Sequence, residues 1–193
     1  MSPKRQIDFI GIGAPRSAST WLSQCLYEHP QISFPTKHSK NKLHPLDKEQ
    51  NFFSQSLFRR NYSQKDRYSK GISWYLDNFD WSNPNQTRGE FSVSYLADLK
   101  APLRIKNHFP NIKIIAILRN PIDMIYSAYY HFKALVHTQV PPDFQQAFLE
   151  GNTQKLRLPW GLYHRHLQAY YHQFPSENIQ VFLYDQVVNN PKN

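Results

Sequence analysis

An α/β domain with a central parallel sheet flanked by helices is what this chain predicts, on three observations. Short apolar runs at Ile7–Ile12, Lys113–Leu118 and Ile179–Leu183 read as strands, the first of them buried. Stretches with helical spacing of apolar residues separate them, and such alternation implies parallel pairing with helices over the faces. Loops leave the first two strands at the carboxyl edge of the sheet, the side on which such folds bind ligands.

The elements follow in order. Ile7–Ile12 runs into Gly13–Thr20, a loop of small and hydroxyl residues. From Trp21 to His29, the apolar positions Trp21, Leu22, Cys25 and Leu26 mark one helical face, and Pro30 stops the helix. Cys25 is thereby expected as a buried core thiol. Residues 31–66 are polar, with Phe52 and Phe53 as their apolar anchor. Helices are expected at Lys70–Asn78 and Ala101–Phe109, ahead of the isoleucine-rich strand Lys113–Leu118. The next helix starts at Pro121; Asn120 caps it and Asp123 faces its positive end. Two more helices are expected near Asp143–Glu150 and Gly161–Phe174.

Composition bounds the function. The 193 residues suit one domain, 40% hydrophobic and 15% aromatic content supplies a core, and disorder is excluded. No apolar run approaches the ~20 residues of a membrane span, and Ile7–Ile12 is too short for a signal peptide. The single Cys25 excludes an internal disulfide and suits a reducing, cytoplasmic setting. Lys and Arg number 23 against 14 acids, a net +9. The excess is scattered (Lys37, Lys40, Lys42, Arg59, Arg60, Lys65, Arg67), so it reads either as a solvated surface or as a field for an anionic ligand.

Two constellations favour the anion. A strand, a loop of small residues and a helix start offer unpaired amides and a dipole end; Ser17, Ser19 and Thr20 add hydroxyls, and Arg16 adds a fixed charge. The Walker pattern is not met: Ala18 stands where its second glycine would, followed by Ser19 and Thr20 with no lysine, which disfavours an ATPase or kinase. The second constellation is Arg119-Asn120-Pro121 with Ser127 nearly two turns into the following helix, able to converge on one anion.

In combination these segments resemble sulfotransferases that use 3′-phosphoadenosine 5′-phosphosulfate (PAPS), in their bacterial and heparan-sulfate branch. Pro15-Arg16-Ser17-Ala18-Ser19-Thr20-Trp21-Leu22 is similar to the family's 5′-phosphosulfate loop. Arg119 through Ser127, with Tyr129-Tyr130-His131, is similar to its 3′-phosphate motif. Lys48-Glu49 with Phe52-Phe53, Gly71 to Leu76, Gly89 to Tyr95, Tyr163 to Leu167 and Val181 to Asp185 follow in family order. The resemblance implies a P-loop-like three-layer fold and sulfuryl transfer from PAPS, leaving PAP, to a hydroxyl or amine of a small-molecule or saccharide acceptor. It also implies donor binding by Pro15, Arg16, Ser17, Ala18, Ser19, Thr20, Trp21, Arg119 and Ser127, with no metal. Arg16 stands where the family usually has lysine; it supplies charge and bidentate geometry but not an acidic proton. Glu49 is the implied base, with His44 and His131 as competitors. Glu90 is expected in a structural ion pair with a cleft arginine, and Trp74 and Tyr75 are expected in the core. His164 and His166, two apart on a helix, point in different directions and make a poor metal pair.

Residues 1–193 are thus expected to form a single domain lacking the family's C-terminal segment, since the chain stops at Asn190-Pro191-Lys192-Asn193. Two rival classes follow: a PAP-binding module without turnover, and a basic nucleic-acid-binding domain. No recognition helix or stacking motif supports the latter.

Overall fold

The computed structural model describes residues 5–36, 49–54, 66–135, 141, 143–149 and 158–189. Lys37, Lys40, Lys42, His44, Lys48, Arg59, Arg60, Lys65 and Asn190–Asn193 lie outside them. Five parallel strands make one sheet: β1 (Phe9–Gly13), β2 (Ile32–Ser33), β3 (Thr87–Phe91), β4 (Lys113–Leu118) and β5 (Ile179–Leu183), in the order β2-β3-β1-β4-β5. The flanking helices are α1 (Ser19–Glu28), α2 (Gly71–Leu76), α3 (Ala101–His108), α4 (Pro121–Leu135), α5 (Phe144–Leu149), α6 (Tyr163–Tyr171) and α7 (Tyr184–Asn189). Among the described residues no helix is long and apolar enough to cross a membrane.

The sheet centre explains the site's place. All five residues of β1 are buried, as a strand paired on both sides requires. From β1 the chain runs to the edge strand β2, returns through β3, and then crosses to β4 on the other side. That reversal opens a crevice at the carboxyl end of β1, where the strand order switches. Asn120 caps α4 as expected, its Oδ1 accepting from the Ile122 amide at 2.9 Å, with Pro121 as the first helical residue.

Glycines set the spacing of β1 and β3. Gly11 is in register with Phe91, and Phe9 with Gly89. A Cβ on Gly11 would stand 2.1 Å from the Phe91 ring, and one on Gly89 would stand 2.5 Å from the Phe9 ring. Each glycine leaves room for the opposite ring, and Phe91 is fully buried, with nowhere to move. We expect Gly11→Ala to cost about 3 kcal/mol of stability, at the upper end of overpacking effects. Urea unfolding tests this: a midpoint within error of the wild type would mean that the ring can yield.

Four expectations are corrected. Cys25 is exposed, not buried. The inward face of α1 carries Ser19, Ser23 and the half-buried Leu22 and Leu26. At 3.6 residues per turn, Cys25 lies roughly 110° round from the middle of that face. The first strand is Phe9–Gly13 rather than Ile7–Ile12, although Ile7 is fully buried. The expected helix over Lys70–Asn78 is α2 preceded by a 3-10 turn at Arg67–Lys70, and that over Gly161–Phe174 is α6 preceded by one at Leu158–Gly161.

Candidate functional site

The β1–α1 loop forms one wall of the crevice. Pro15 and Ser17 are buried, and Ser17 Oγ donates to the Pro15 carbonyl at 3.3 Å. Arg16 and Ala18 are both left-handed, with φ of 58° and 60°. Neither is glycine, so each conformation costs on the order of 1 kcal/mol and persists because its surroundings impose it. Main-chain bonds do this: the Ala14 amide donates to the Ile117 carbonyl at 2.7 Å, and the Leu22 amide to the Ala18 carbonyl at 3.0 Å. Arg16 and Thr20 face solvent, Ser19 is nearly buried, and Trp21 is 43% exposed. The N-cap of α1, Ala18, supplies no side-chain hydrogen bond, and its first turn holds no acid. The helix start therefore has neither a side-chain cap nor a counter-charge of its own.

Arg119, just beyond β4, and Ser127 on α4 form the other wall. Arg16 Nε donates to Ser127 Oγ at 3.0 Å, and Arg119 Nη1 donates to the Arg16 carbonyl at 3.2 Å. The two arginines are thus joined through the Arg16 main chain, and neither takes part in an ion pair among the described residues. The Arg119 guanidinium lies over the Tyr184 ring at 4.5 Å, while its Nε is buried without a partner. The hydroxyl of Tyr163, at the start of α6, is likewise buried beside Ser17 and the Arg119 main chain, and closes no well-formed hydrogen bond to either. Burial pushes its pKa above the ordinary phenol value. Orphaned buried polar atoms are rare, and two at one crevice suit a polyanionic ligand.

A third group sits behind these walls. Glu90 in β3 is fully buried, and its partners are not the expected arginine. Its Oε1 accepts from the hydroxyls of Tyr75 at 2.9 Å and Tyr95 at 2.7 Å. Its Oε2 accepts from Ser92 Oγ at 2.5 Å and the Gln50 amide at 3.1 Å. Burial raises its pKa to about 7, although all four donors favour the charged form. Through Gln50 the network holds the segment that begins at the half-buried Glu49. The rings of Phe52 and Phe53 seal it, both fully buried against Tyr75.

The remaining candidates divide between core and surface. Tyr75 is buried, and Trp74 packs half-buried on the core under the Lys70 ammonium, 4.4 Å from its ring centre. His131 is exposed on α4; on α6, His166 is buried, with Nε2 2.7 Å from the Pro159 carbonyl, while His164 is exposed. Sequence reasoning missed Tyr163 and Tyr184 as neighbours of the arginines. Both fall in segments of recognised family order, but nothing in their spacing aims them at Arg119.

Residues 6–193 match the family model of the sulfotransferase domain. The chain belongs to that family. This sulfotransferase domain is 24% identical over 196 residues to heparan sulfate glucosamine 3-O-sulfotransferase 5 of Mus musculus, covering 94% of the chain and 49% of the relative. It is 27% identical over 189 residues to the bifunctional heparan sulfate N-deacetylase/N-sulfotransferase 3 of the same species, covering 90% and 19%. The domain thus spans half or less of these curated relatives. A sulfotransferase from Alicyclobacillus acidocaldarius has the same fold, with a TM-score of 0.76 at 24% identity over 96% of this chain and 76% of that one. So does mouse sulfotransferase SULT7A1 complexed with PAP, with a TM-score of 0.56 at 18% identity over 97% and 55%. The expected family and the expected α/β architecture are both borne out.

Proposed function

We propose that this domain moves a sulfuryl group from PAPS to a hydroxyl or amine of an acceptor. The observation that carries the reading is the joining of Arg16, Ser127 and Arg119 beside an α1 start without side-chain cap or counter-charge. PAPS supplies the activated sulfuryl group, and the residues fit its two anionic ends. Pro15, Ser17, Ala18, Ser19, Thr20 and Trp21 form the loop and first helical turn for the 5′-phosphosulfate; Arg119 and Ser127 take the 3′-phosphate. In transfer, the acceptor oxygen or nitrogen bonds to sulfur as the bond from sulfur to the phosphate oxygen breaks. The electron pair of that bond goes to the phosphate, where Arg16 offsets the growing charge. Glu49 takes the proton released by the acceptor. No step needs a metal.

Similarity to heparan sulfate enzymes supports a saccharide acceptor, as does a net charge of +9. The free, exposed Cys25 supports a reducing compartment such as the cytoplasm.

Calorimetric titration with PAP, 5′-AMP and the Arg119→Ala variant tests the donor site. We expect micromolar PAP affinity that falls about 100-fold without the 3′-phosphate or without Arg119, in line with the loss of charge-assisted hydrogen bonds. Equal binding of AMP and PAP would overturn the assignment. PAP binding without sulfate transfer would leave a nucleotide-binding module.

A further inference from the structure

We infer that Glu90 is a positioning residue that fixes the candidate base Glu49 through the main chain of residues 50–52. The inference rests on the role proposed for Glu49. Three consecutive amides after Glu49 are held by one cluster: Gln50 donates to Glu90 Oε2 at 3.1 Å, Asn51 to Ser92 Oγ at 2.9 Å, and Phe52 to Tyr95 Oη at 2.8 Å. Ser92 and Tyr95 each give their single proton to Glu90, at 2.5 and 2.7 Å. Their oxygens are thereby turned to accept from the Asn51 and Phe52 amides. In its charged form Glu90 only accepts, and so sets the direction of every bond in the cluster.

The held segment is not relaxed. Asn51 is left-handed at φ 47°, and its side chain is used at both ends, Nδ2 donating to the Glu49 carbonyl at 3.3 Å and Oδ1 accepting from Ser94 Oγ at 2.5 Å. Such a conformation lasts only where the surroundings over-determine it. Arg67 adds a further bond, Nη1 to the Gln50 carbonyl at 2.5 Å. Glu90 is in register with Ile10 of β1, three residues before the crevice loop begins at Gly13. The cluster therefore references the Glu49 segment to the strand that carries the donor loop. Glutamine at position 90 would present an NH₂ to a cluster of donors, and one hydroxyl would have to turn, releasing its amide.

The test compares Glu90→Gln, Ser92→Ala, Glu49→Gln and the Glu90→Gln/Glu49→Gln double variant. It reads hydrogen exchange at residues 50–52, PAP affinity, and kcat and KM with PAPS and a glucosamine oligosaccharide as acceptor probe. We expect Glu90→Gln to speed exchange of the three amides at least tenfold and to lower kcat about tenfold, with PAP affinity within twofold. Ser92→Ala, which frees only the Asn51 amide, gives the same pattern at smaller size and serves if Glu90→Gln fails to fold. In the Glu49→Gln background, adding Glu90→Gln should change kcat less than twofold. Independent losses that multiply in the double variant would overturn the inference, as would unchanged kcat with loosened amides or a parallel loss of PAP affinity. Wild-type kcat in Glu49→Gln would instead refute the base and, with it, this tether's catalytic role. A wild type that binds PAP but transfers nothing to the probe refutes the glucosamine acceptor; the tether is then judged by the amide exchange together with the rate of PAPS hydrolysis to PAP, and an unchanged hydrolysis rate in Glu90→Gln with loosened amides overturns the inference.

Discussion

Arg16→Ala is expected to lower kcat by about 10²- to 10³-fold, with less than a tenfold change in PAP affinity. The argument starts from what the residue holds. Its carbonyl receives Arg119 and its Nε reaches Ser127, so main chain and side chain tie the two walls of the crevice. Alanine keeps the first bond and loses the second together with the charge. On the proposed mechanism, that charge matters most as the phosphate oxygen departs, so its loss weighs on the transition state more than on binding. Arg16→Lys separates charge from shape: lysine restores a cation and brings a proton it can give, but lacks the planar fork. It should recover kcat to within about tenfold of the wild type. Single-turnover transfer from PAPS, beside PAP titration, reads both quantities. Unchanged turnover in Arg16→Ala would remove Arg16 from the chemistry.

Stability should fall by on the order of 3 kcal/mol as pH rises from about 4.5 to 7, through Glu90. The carboxyl has a pKa near 4.5 in the unfolded chain and about 7 when folded, because burial opposes its charge. Between those values the folded state holds a proton that the unfolded state has released, so raising the pH favours unfolding; above 7 the contribution is flat. The groups facing it do not titrate in this window. Tyr75 and Tyr95 are both pushed well above the ordinary phenol value, by burial first and by the Glu90 charge next. His108 runs the other way: burial lowers its pKa, so its contribution is present at neutral pH and lost on acidification. Comparing the wild type with Glu90→Gln cancels that contribution. Urea unfolding at pH 5 and pH 7.5 should show the slope in the wild type and lose it in the variant. Equal slopes in both would place the titration elsewhere.

The strands and the two anion loops were legible because their signals are local. Ile114 to Leu118 is apolar without a break, and Asn120-Pro121 announces a helix start through the chemistry of its own two residues. What was not legible depends on residues distant in the chain. Strand β2 is only Ile32–Ser33, visible through its pairing with Thr87 and Arg88 and through no periodicity of its own. Helix α7 begins at Tyr184, the residue after β5 ends, with no loop residue to separate the two signals. The partners of Glu90 come from Gln50, Tyr75, Ser92 and Tyr95, three of them tyrosine or serine side chains. A buried acid suggests a cation by default, and only the fold shows that hydroxyls and an amide replace it. Cys25 follows the same rule: Trp21, Leu22, Cys25 and Leu26 mark an apolar face by spacing, whereas in the fold Ser19 and Ser23 lie deepest on α1.

The bond between Arg16 and Ser127 spans 111 residues of chain, and that between Arg119 and Arg16 spans 103. Both exist only where β1 has paired with β4, in the register Phe9 to Lys113. A collapsed chain with helices formed but that pairing absent has the same arginines and no crevice. On the proposed function, tight nucleotide capture would therefore be a readout of completed parallel pairing rather than of compactness. By mass action, a nucleotide at a hundred times its dissociation constant would add about 2.7 kcal/mol to the paired state. The donor would then act as a clasp across the middle of the sheet, guarding a pairing between strands some hundred residues apart in the chain while it waits for an acceptor.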